Sequence, residues 1–533
     1  MDASLVGFTR QTMTEGSKGR PSVNKWVIAL VVMIPTFIEV MDTSVVNVSL
    51  PHIQGSLSAG MDEVTWVLTS YLVSNAIIIP ITGWLAGLFG RKRYLIFSIL
   101  TFTIASILCG AAPTLDVLIV ARVLQGLGGG GLQPLSQAIL LETFPRKEHG
   151  MAMAVFGMGV VMAPIVGPVL GGFITDQWSW RWVFYINVPA GILAVLLTIF
   201  FIYDPAYIKR AVARVDRWGL FLLALGLGAL QIVLDRGERK DWLQSHYILV
   251  LSAIAILALV LFVVVELRTE HPVVDLRVFK DSAFSAGTAI MFLGFFCLFG
   301  SFVLLPLYAQ ELMGYTALWA GLILGPGGIS SFIVMPIAGA LMKKGLKPWI
   351  ILVAGLAITS YALLMMSEYN LQADFYAIAL PRLIQGLGLG MFFVPLAAAT
   401  YVNIPVEKMG NASGVFNLLR NLGGSFGVAV STTILDRRAQ FHQTFLSENI
   451  TPFNPAFRHA YNQATGFLQM NHVPAASKGG LAFVYGEVLR QANMLSFNDT
   501  FFVLSIATAI LIPLTLFLRK GSSGEGSTSA GMH

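Results

Sequence analysis

Charge is scarce in this sequence. Only 12% of its 533 residues are Asp, Glu, Lys or Arg, while 56% are hydrophobic. Soluble domains carry about 25% charged residues, so the solvating surface of a water-soluble globule is missing. Cysteine is scarcer still. Cys109 and Cys297 both sit in apolar runs and read as buried thiols, which excludes a disulfide framework. The eight histidines are scattered and no H-E-x-x-H occurs, so no metal site is expected. A polytopic membrane enzyme would need such a cluster, or a nucleophile pair near an interface, and is the weaker alternative. "GLGGGG" at 126–131 fits a dinucleotide fingerprint only formally, since no strand precedes it.

What is present is apolar length. A membrane-spanning helix needs about 20 such residues. Fourteen runs qualify, near 26–48, 65–88, 94–112, 117–141, 150–174, 182–203, 218–235, 247–266, 284–309, 318–341, 349–367, 376–402, 409–432 and 498–518. The fold class is therefore an all-α polytopic membrane protein. Residues 1–25 lack an apolar core with a cleavage site and read as a retained tail. The net charge of +6 reflects topology, not nucleic-acid binding. With the N-terminus in the cytoplasm, 22 of the 34 Lys and Arg fall on that side, as short cytoplasmic loops require. Both termini are then cytoplasmic.

The chain repeats itself. "ARVLQGLGGG" at 121–130 returns as "PRLIQGLGLG" at 381–390, and the 260-residue offset continues through Gly150/Gly410, Phe156/Phe416 and Gly167/Gly427. Both copies run in the same direction, as in parallel repeats about an axis along the membrane normal. Eight helices separate them, so a pair is inserted between two six-helix halves. The organisation is a tail at 1–25, a first half at 26–203, a linker at 204–266 and a second half at 267–519. The second half includes an outer loop at 437–495, and a tail occupies 520–533. The inserted pair has few intramembrane polar groups and is expected outside any central cavity. The outer loop carries amphipathic stretches and is expected to be partly helical.

In the fifth run, Gly159, Ala163, Gly167 and Gly171 recur every four residues, a ridge that lets helix backbones approach closely. Pro164 and Pro168 loosen the same helix and permit a bend. "GPVLGG" at 167–172 resembles the antiporter signature of the major facilitator superfamily, and "ARVLQGLGGG" resembles its fourth-helix motif. "MDTSVVNVSLP" at 41–51 resembles the first-helix motif of drug–proton antiporters. "WRWVFYINVP" at 180–189, "LDRG" at 234–237 and "HPVVDLRVF" at 271–279 resemble the fourteen-span EmrB/QacA branch. The outer loop, with "ITPFNPAF" at 450–457, resembles the EmrB type. The resemblance implies a bacterial inner-membrane exporter of hydrophobic drugs, driven by protons without a cofactor. It also implies a periplasmic adaptor of the EmrA type and an outer-membrane channel such as TolC. Export of an endogenous metabolite or lipid is the alternative within the same class. One departure stands out: "GWLAGLFGRKR" has Gly87 and Leu88 where the family often has an acid and a base.

Charged groups at membrane depth are costly and mark function. At helical spacing Glu39, Asp42, Thr43, Asn47 and Ser49 share one face. So do Arg122, Gln125, Gln133, Ser136 and Gln137 in the fourth run, and Ser413, Asn417, Arg420 and Gly424 in the thirteenth. The three stripes predict a shared water-accessible cavity; hydrogen bonding between helices is the other reading for each Gln or Ser. At about 1.5 Å per residue, Asp42 and Arg122 match in depth. They are assigned to proton coupling, with Glu39 as a relay. Abundant Met and Phe, 20 and 36, suit a deformable apolar site. Its candidate lining is Phe37, Gln125, Gln133, Gln137, Phe156, Met158, Phe295, Phe296, Tyr308, Phe392, Asn417 and Arg420. Most other apolar side chains are left to meet helix neighbours and membrane lipids.

Overall fold

The computed structural model describes residues 23–204, 216–448, 450–471, 474, 476–516 and 518. The two tails before 23 and after 518, and the basic run at 209–214, lie outside the described residues. All fourteen apolar runs form helices. They begin with α1 (Lys25–Ser56), α2 (Trp66–Phe89) and α3 (Arg91–Ala111). The fourth run is two pieces, α4 (Leu115–Gly129) and α5 (Leu132–Thr143), parted at Gly130 and Gly131. The first half closes with α6 (His149–Gln177) and α7 (Asn187–Phe201). The inserted pair is α8 (Arg217–Arg236) and α9 (His246–Arg268). The second half contains α10 (Ser282–Leu307), α11 (Ala317–Lys343), α12 (Pro348–Met366), α13 (Phe375–Thr400) and α14 (Met409–Ser447). It ends with α15 (Pro455–Met470) and α16 (Ala476–Leu514).

Among the described residues thirteen helices are long and apolar enough to cross a membrane. The fourteenth span is α14, which carries Asn411, Asn417, Arg420 and Asn421 and fails on hydropathy. It can be polar because it packs against α2, α5, α10 and α16 rather than lipid.

The glycine strings set the helix spacing. A Cβ on Gly126 would meet the Tyr71 carbonyl at 2.6 Å, and one on Gly130 the Asn75 carbonyl at 2.8 Å. Only glycine lets α4 lie so close to α2. In the second copy Gly388 faces the Gly355 carbonyl at 2.7 Å, the same device between α13 and α12. The ridge on α6 serves α1: Gly167 faces Ser44 Cβ at 2.6 Å and Gly171 the Val45 carbonyl at 2.9 Å. Gly159 lies against Met33, while Pro168 faces Gly321 of α11 at 3.6 Å. Thus α6, with Pro164 and Pro168 inside it, is wedged between its own half and the other.

The halves meet along two seams, α6 against α11 and α2 against α14. The inserted helix α8 lies along the second seam, touching α2 and α14, and α9 packs on α8. Beyond α8, Glu238 hydrogen-bonds Asp436 of α14; that bond and partial burial push Glu238 up to about 7. The halves also touch at the end where the Lys- and Arg-rich connections lie, here the basic end. There Glu148 takes ion pairs from Lys25 and, at 3.1 Å, from Lys343 of the second half. A Cβ on Gly83 would stand 2.5 Å from the Asn411 amide nitrogen. Nearby, Gly87 has no atom within 4 Å of where its Cβ would be. It borders a cavity of about 170 Å³ lined also by Arg91, Asp275, Glu407 and Asn411. The basic end therefore closes on backbone contact and on Glu148, without an acid at 87.

Gly83→Val should hold this end open, because backbone cannot move aside as a side-chain tip can. A cysteine introduced at buried Ser413 should then react faster with a membrane-permeant maleimide. Gly87→Ala should leave the rate unchanged. Equal reactivity in wild type and Gly83→Val would show that the Gly83 contact does not hold the end closed.

The segment expected as an outer loop, 437–495, is mostly helix. α14 runs unbroken to Ser447, α15 follows, and α16 begins at Ala476. Two spans simply continue past the membrane, and α15 packs on α16 between them.

Candidate functional site

Asp42 and Arg122 are in contact. Arg122 Nη1 donates to Asp42 Oδ2 at 2.5 Å, with neither side chain exposed. Asp42 Oδ1 accepts from Gln125 Nε2 at 2.9 Å and from Asn187 Nδ2 at 2.7 Å. Gln125 Nε2 also reaches Ser106 Oγ at 2.9 Å, and its Oε1 accepts from Arg122 Nη1 at 2.6 Å. Arg122 Nε donates to the Val67 carbonyl at 3.0 Å, and its guanidinium lies 4.2 Å over the Tyr71 ring. A buried carboxylate and guanidinium are tolerable only as a hydrogen-bonded pair, and removing either partner typically costs about 3–5 kcal/mol.

Glu39 anchors a second cluster one turn away. Its Oε1 accepts from Tyr71 OH at 3.1 Å and Asn75 Nδ2 at 2.9 Å, and its Oε2 from Gln133 Nε2 at 2.6 Å. Tyr71 therefore touches both clusters, its ring under Arg122 and its hydroxyl on Glu39. Gln133 Oε1 in turn accepts from Arg420 Nη2 on α14, which carries the network into the second half. A parallel crossing joins Gln137 Oε1 to Asn417 Nδ2 at 2.5 Å and Tyr401 OH at 3.3 Å. Ser413 Oγ donates to the Pro134 carbonyl at 2.9 Å, and Ser136 pairs with Thr36 at 2.7 Å.

The three polar stripes thus find one another. Gln125, Gln133, Gln137, Asn417 and Arg420 are all at least nine-tenths buried. They are spent on contacts between helices rather than lining open water.

The aromatic candidates divide. Phe156 of α6 stacks on Phe393 at 6.2 Å, and Phe393 meets Phe295 at the same distance, so three rings gather where the halves meet. Met158 of α6 is partly buried against the core that holds these rings, while Phe37 of α1 packs on a separate core with Met41 and Val45. Phe392 turns back onto Gly294 of its own half, and the Phe296 carbonyl lies under Gly427. Tyr308 is elsewhere. It stacks on Tyr369 at 5.2 Å and donates to the Asn370 carbonyl at 2.8 Å, in a core near the far end.

Sequence reasoning missed Tyr71, Asn75, Ser106 and Asn187. Tyr71 and Asn75 sit four apart on an apolar helix, a polar pair that helical periodicity exposes once α2 is inspected. Asn187 lies within the motif at 180–189 and carried no signal of its own.

Among the described residues no group of three or more His, Cys, Asp or Glu could hold a metal ion. The model of the Major Facilitator Superfamily matches residues 32–428. The Multidrug export protein EmrB of Escherichia coli K12 is 36% identical over 507 residues, covering 95% of this chain and 98% of that protein. EmrB of Haemophilus influenzae is 38% identical, covering 92% of this chain and 95% of that protein. The human organic anion transporter MFSD10 shares the fold at a TM-score of 0.59 and 14% identity, covering 92% of this chain and all of that structure. Two pseudo-symmetric helical halves, a buried acid–arginine network in the first half with a branch that reaches Arg420 of the second, and these likenesses converge: the chain is a multi-pass membrane transporter, not an enzyme, and belongs to the EmrB type of the major facilitator superfamily.

Proposed function

We propose that this protein exports hydrophobic and amphipathic compounds, drugs among them, in exchange for protons. The basic end faces the cytoplasm, both termini lie there, and the halves rock about the α6–α11 and α2–α14 seams. The observation that carries this reading is the buried Asp42–Arg122 pair and its continuation to Arg420 in the second half. Protonating Asp42 removes the charge that holds Arg122. Of its hydrogen bonds Arg122 then keeps those to Gln125 and the Val67 carbonyl, and it is free to shift on the Tyr71 ring beneath it. Through Glu39 and Gln133 that change reaches Arg420, so the proton biases how the halves meet. One charge crossing the membrane supplies about 2.3 kcal/mol per 100 mV. No cofactor is required beyond the proton gradient.

The apolar rings Phe156, Phe393 and Phe295, between the polar networks, suit varied greasy substrates. The helical extension beyond the membrane, with exposed Phe453, Phe467 and Met470, supports an EmrA-like adaptor and, through it, a TolC-like channel. The test is dye accumulation in an efflux-deficient bacterial strain. Expression should lower accumulation of a hydrophobic fluorescent dye several-fold, and an uncoupler should restore it. Export that persists without a proton gradient would defeat the reading.

A further inference from the structure

The inserted helix α8 ends on "LDRG", 234–237, a motif with no part in the Asp42 network. Its charged side chains hold the first half at the outer end, opposite the basic one. Asp235 accepts from Thr69 of α2. Arg236 donates to the Asp62 carbonyl at 2.9 Å and to Thr65 Oγ1 at 3.1 Å, and lies 4.1 Å over the Trp66 ring. Lys240 pairs with the Asp62 carboxylate at 3.2 Å. The neighbouring side chains hold the second half instead. Trp242 Nε1 donates to Thr433 Oγ1 of α14 at 3.0 Å, and Glu238 hydrogen-bonds Asp436 of the same helix. Residues 234–242 thus bridge α2 and α14 across the outer end of their seam.

The bridge is strained. Asp241 and Trp242 have φ of 55° and 50°, the left-handed region that a bulky side chain rarely enters. Such strain persists only where the surroundings hold it. Here Trp242 N donates to the Gly237 carbonyl at 2.7 Å, and the indole lies 2.5 Å from where a Cβ on Gly237 would stand. Only glycine admits the ring there, and Thr433 holds its far edge. The other attachment to α14 needs a proton. An ionised carboxylate has no donor, so two carboxyl groups bond each other only if one is protonated. From α14 Asp436 faces Glu238, with Arg437 next to it in sequence; from the bridge come Arg239 and Asp241, while Asp235, Arg236 and Lys240 are engaged with α2 and Asp62.

We propose that residues 234–242 form a proton-operated strap, which ties the halves at the outer end when Glu238 carries a proton from that side and releases them when the proton leaves. The Asp436 bond, and then burial, push Glu238 up to about 7 against the opposing pull of Arg239. A raised acid of this kind stabilises the tied state fully below its ordinary value, near 4.5, and the gain is lost as the outer pH rises through about 7. Glu238 is a positioning residue: it acts through how the halves meet. After discharging its substrate outside, an exchanger must close with a proton aboard, and a strap that ties only in the protonated state favours closure at that moment. The proposal rests on the export reading for the rocking of the halves.

The test is the distance between spin labels on Ser56 and Gln440, exposed outer positions on α1 and α14, in protein held in lipid nanodiscs. Wild type should keep a short distance at about pH 5 and lose it by about pH 8. Glu238→Gln, whose amide donates to Asp436 at any pH, should stay short at both, and Asp436→Asn should do the same from the other side. Glu238→Ala should be long at both. In proteoliposomes with a fixed pH difference, Glu238→Gln should flatten the dependence of export on outer pH. Wild type and Glu238→Gln with one shared pH dependence of the distance overturn the strap. Wild type that exports with an unmoved distance refutes the strap alone. A distance that shifts as expected without proton-driven export refutes the export reading and leaves the strap standing.

Discussion

Asp42→Asn should abolish uphill export while leaving a folded protein that still binds drug. The amide keeps the shape of the acid but cannot ionise. Three donors converge on Asp42: Arg122 Nη1, Gln125 Nε2 and Asn187 Nδ2. An asparagine offers one oxygen and one NH₂, so one of its ends must face a donor. If the oxygen keeps Gln125 and Asn187, the NH₂ confronts Arg122. With Arg122 left buried without its counter-charge the change costs about 3–5 kcal/mol, which a fold with α1 packed against both α6 and α7 absorbs. The coupling has no such reserve. In proteoliposomes with an imposed pH gradient, drug accumulation against its gradient should fall to background, and drug-induced proton release should vanish. Glu39→Gln should be milder and depend on the substrate, because Tyr71 and Asn75 can still donate to the amide oxygen. Uphill export by Asp42→Asn at the wild-type rate would remove Asp42 from the mechanism.

Replacing residues 444–491 with a short Gly/Ser turn should abolish resistance in whole cells and leave transport in proteoliposomes within about twofold. The cut lies beyond the clamp that joins the two long helices, where Asp499 accepts from Arg438 at 2.5 Å and contacts His442 at 2.6 Å. What it removes is a protrusion with little to do in the transport path. Leu446, Ile450, Asn454, Phe457, Val484, Glu487, Val488 and Gln491 line a cavity of about 330 Å³ within it. Phe453 is 89% and Met470 77% exposed at opposite ends of α15, apolar surface that a periplasmic partner would cover. Equal loss in cells and in liposomes would make the protrusion a folding element instead.

The fold was readable because lipid imposes a simple rule: about 20 apolar residues per crossing. α14 counts among the apolar runs although it falls short of that rule on hydropathy, and the repeat that sets it in register with α6 supports it. Depth matching placed Asp42 beside Arg122, since helix rise is a fixed length. Contacts that depend on rotation about neighbouring helices were harder. Nothing in one helix says that Tyr71 will slip beneath Arg122, or that Asn187 will turn inward from a short helix after a kinked turn. Polarity alone could not say whether Gln133 and Gln137 meet water or side chains of other helices, because both satisfy an amide. Tyr308 failed for a different reason. Its neighbours on α10 face the seam, but it lies past Pro306 where the helix widens, which rotates it into another core.

The polar character of α14 has a consequence for how the chain is made. A segment bearing Arg420 and several asparagines partitions poorly from the translocon into lipid by itself. Its polar side chains find their partners on Gln133, Gln137 and the Pro134 carbonyl, all synthesised hundreds of residues earlier. Biogenesis is therefore ordered: the first half must already stand in the bilayer as a receptor for α14. The same amides that join the two halves in the finished fold first serve as the berth that lets the last half dock.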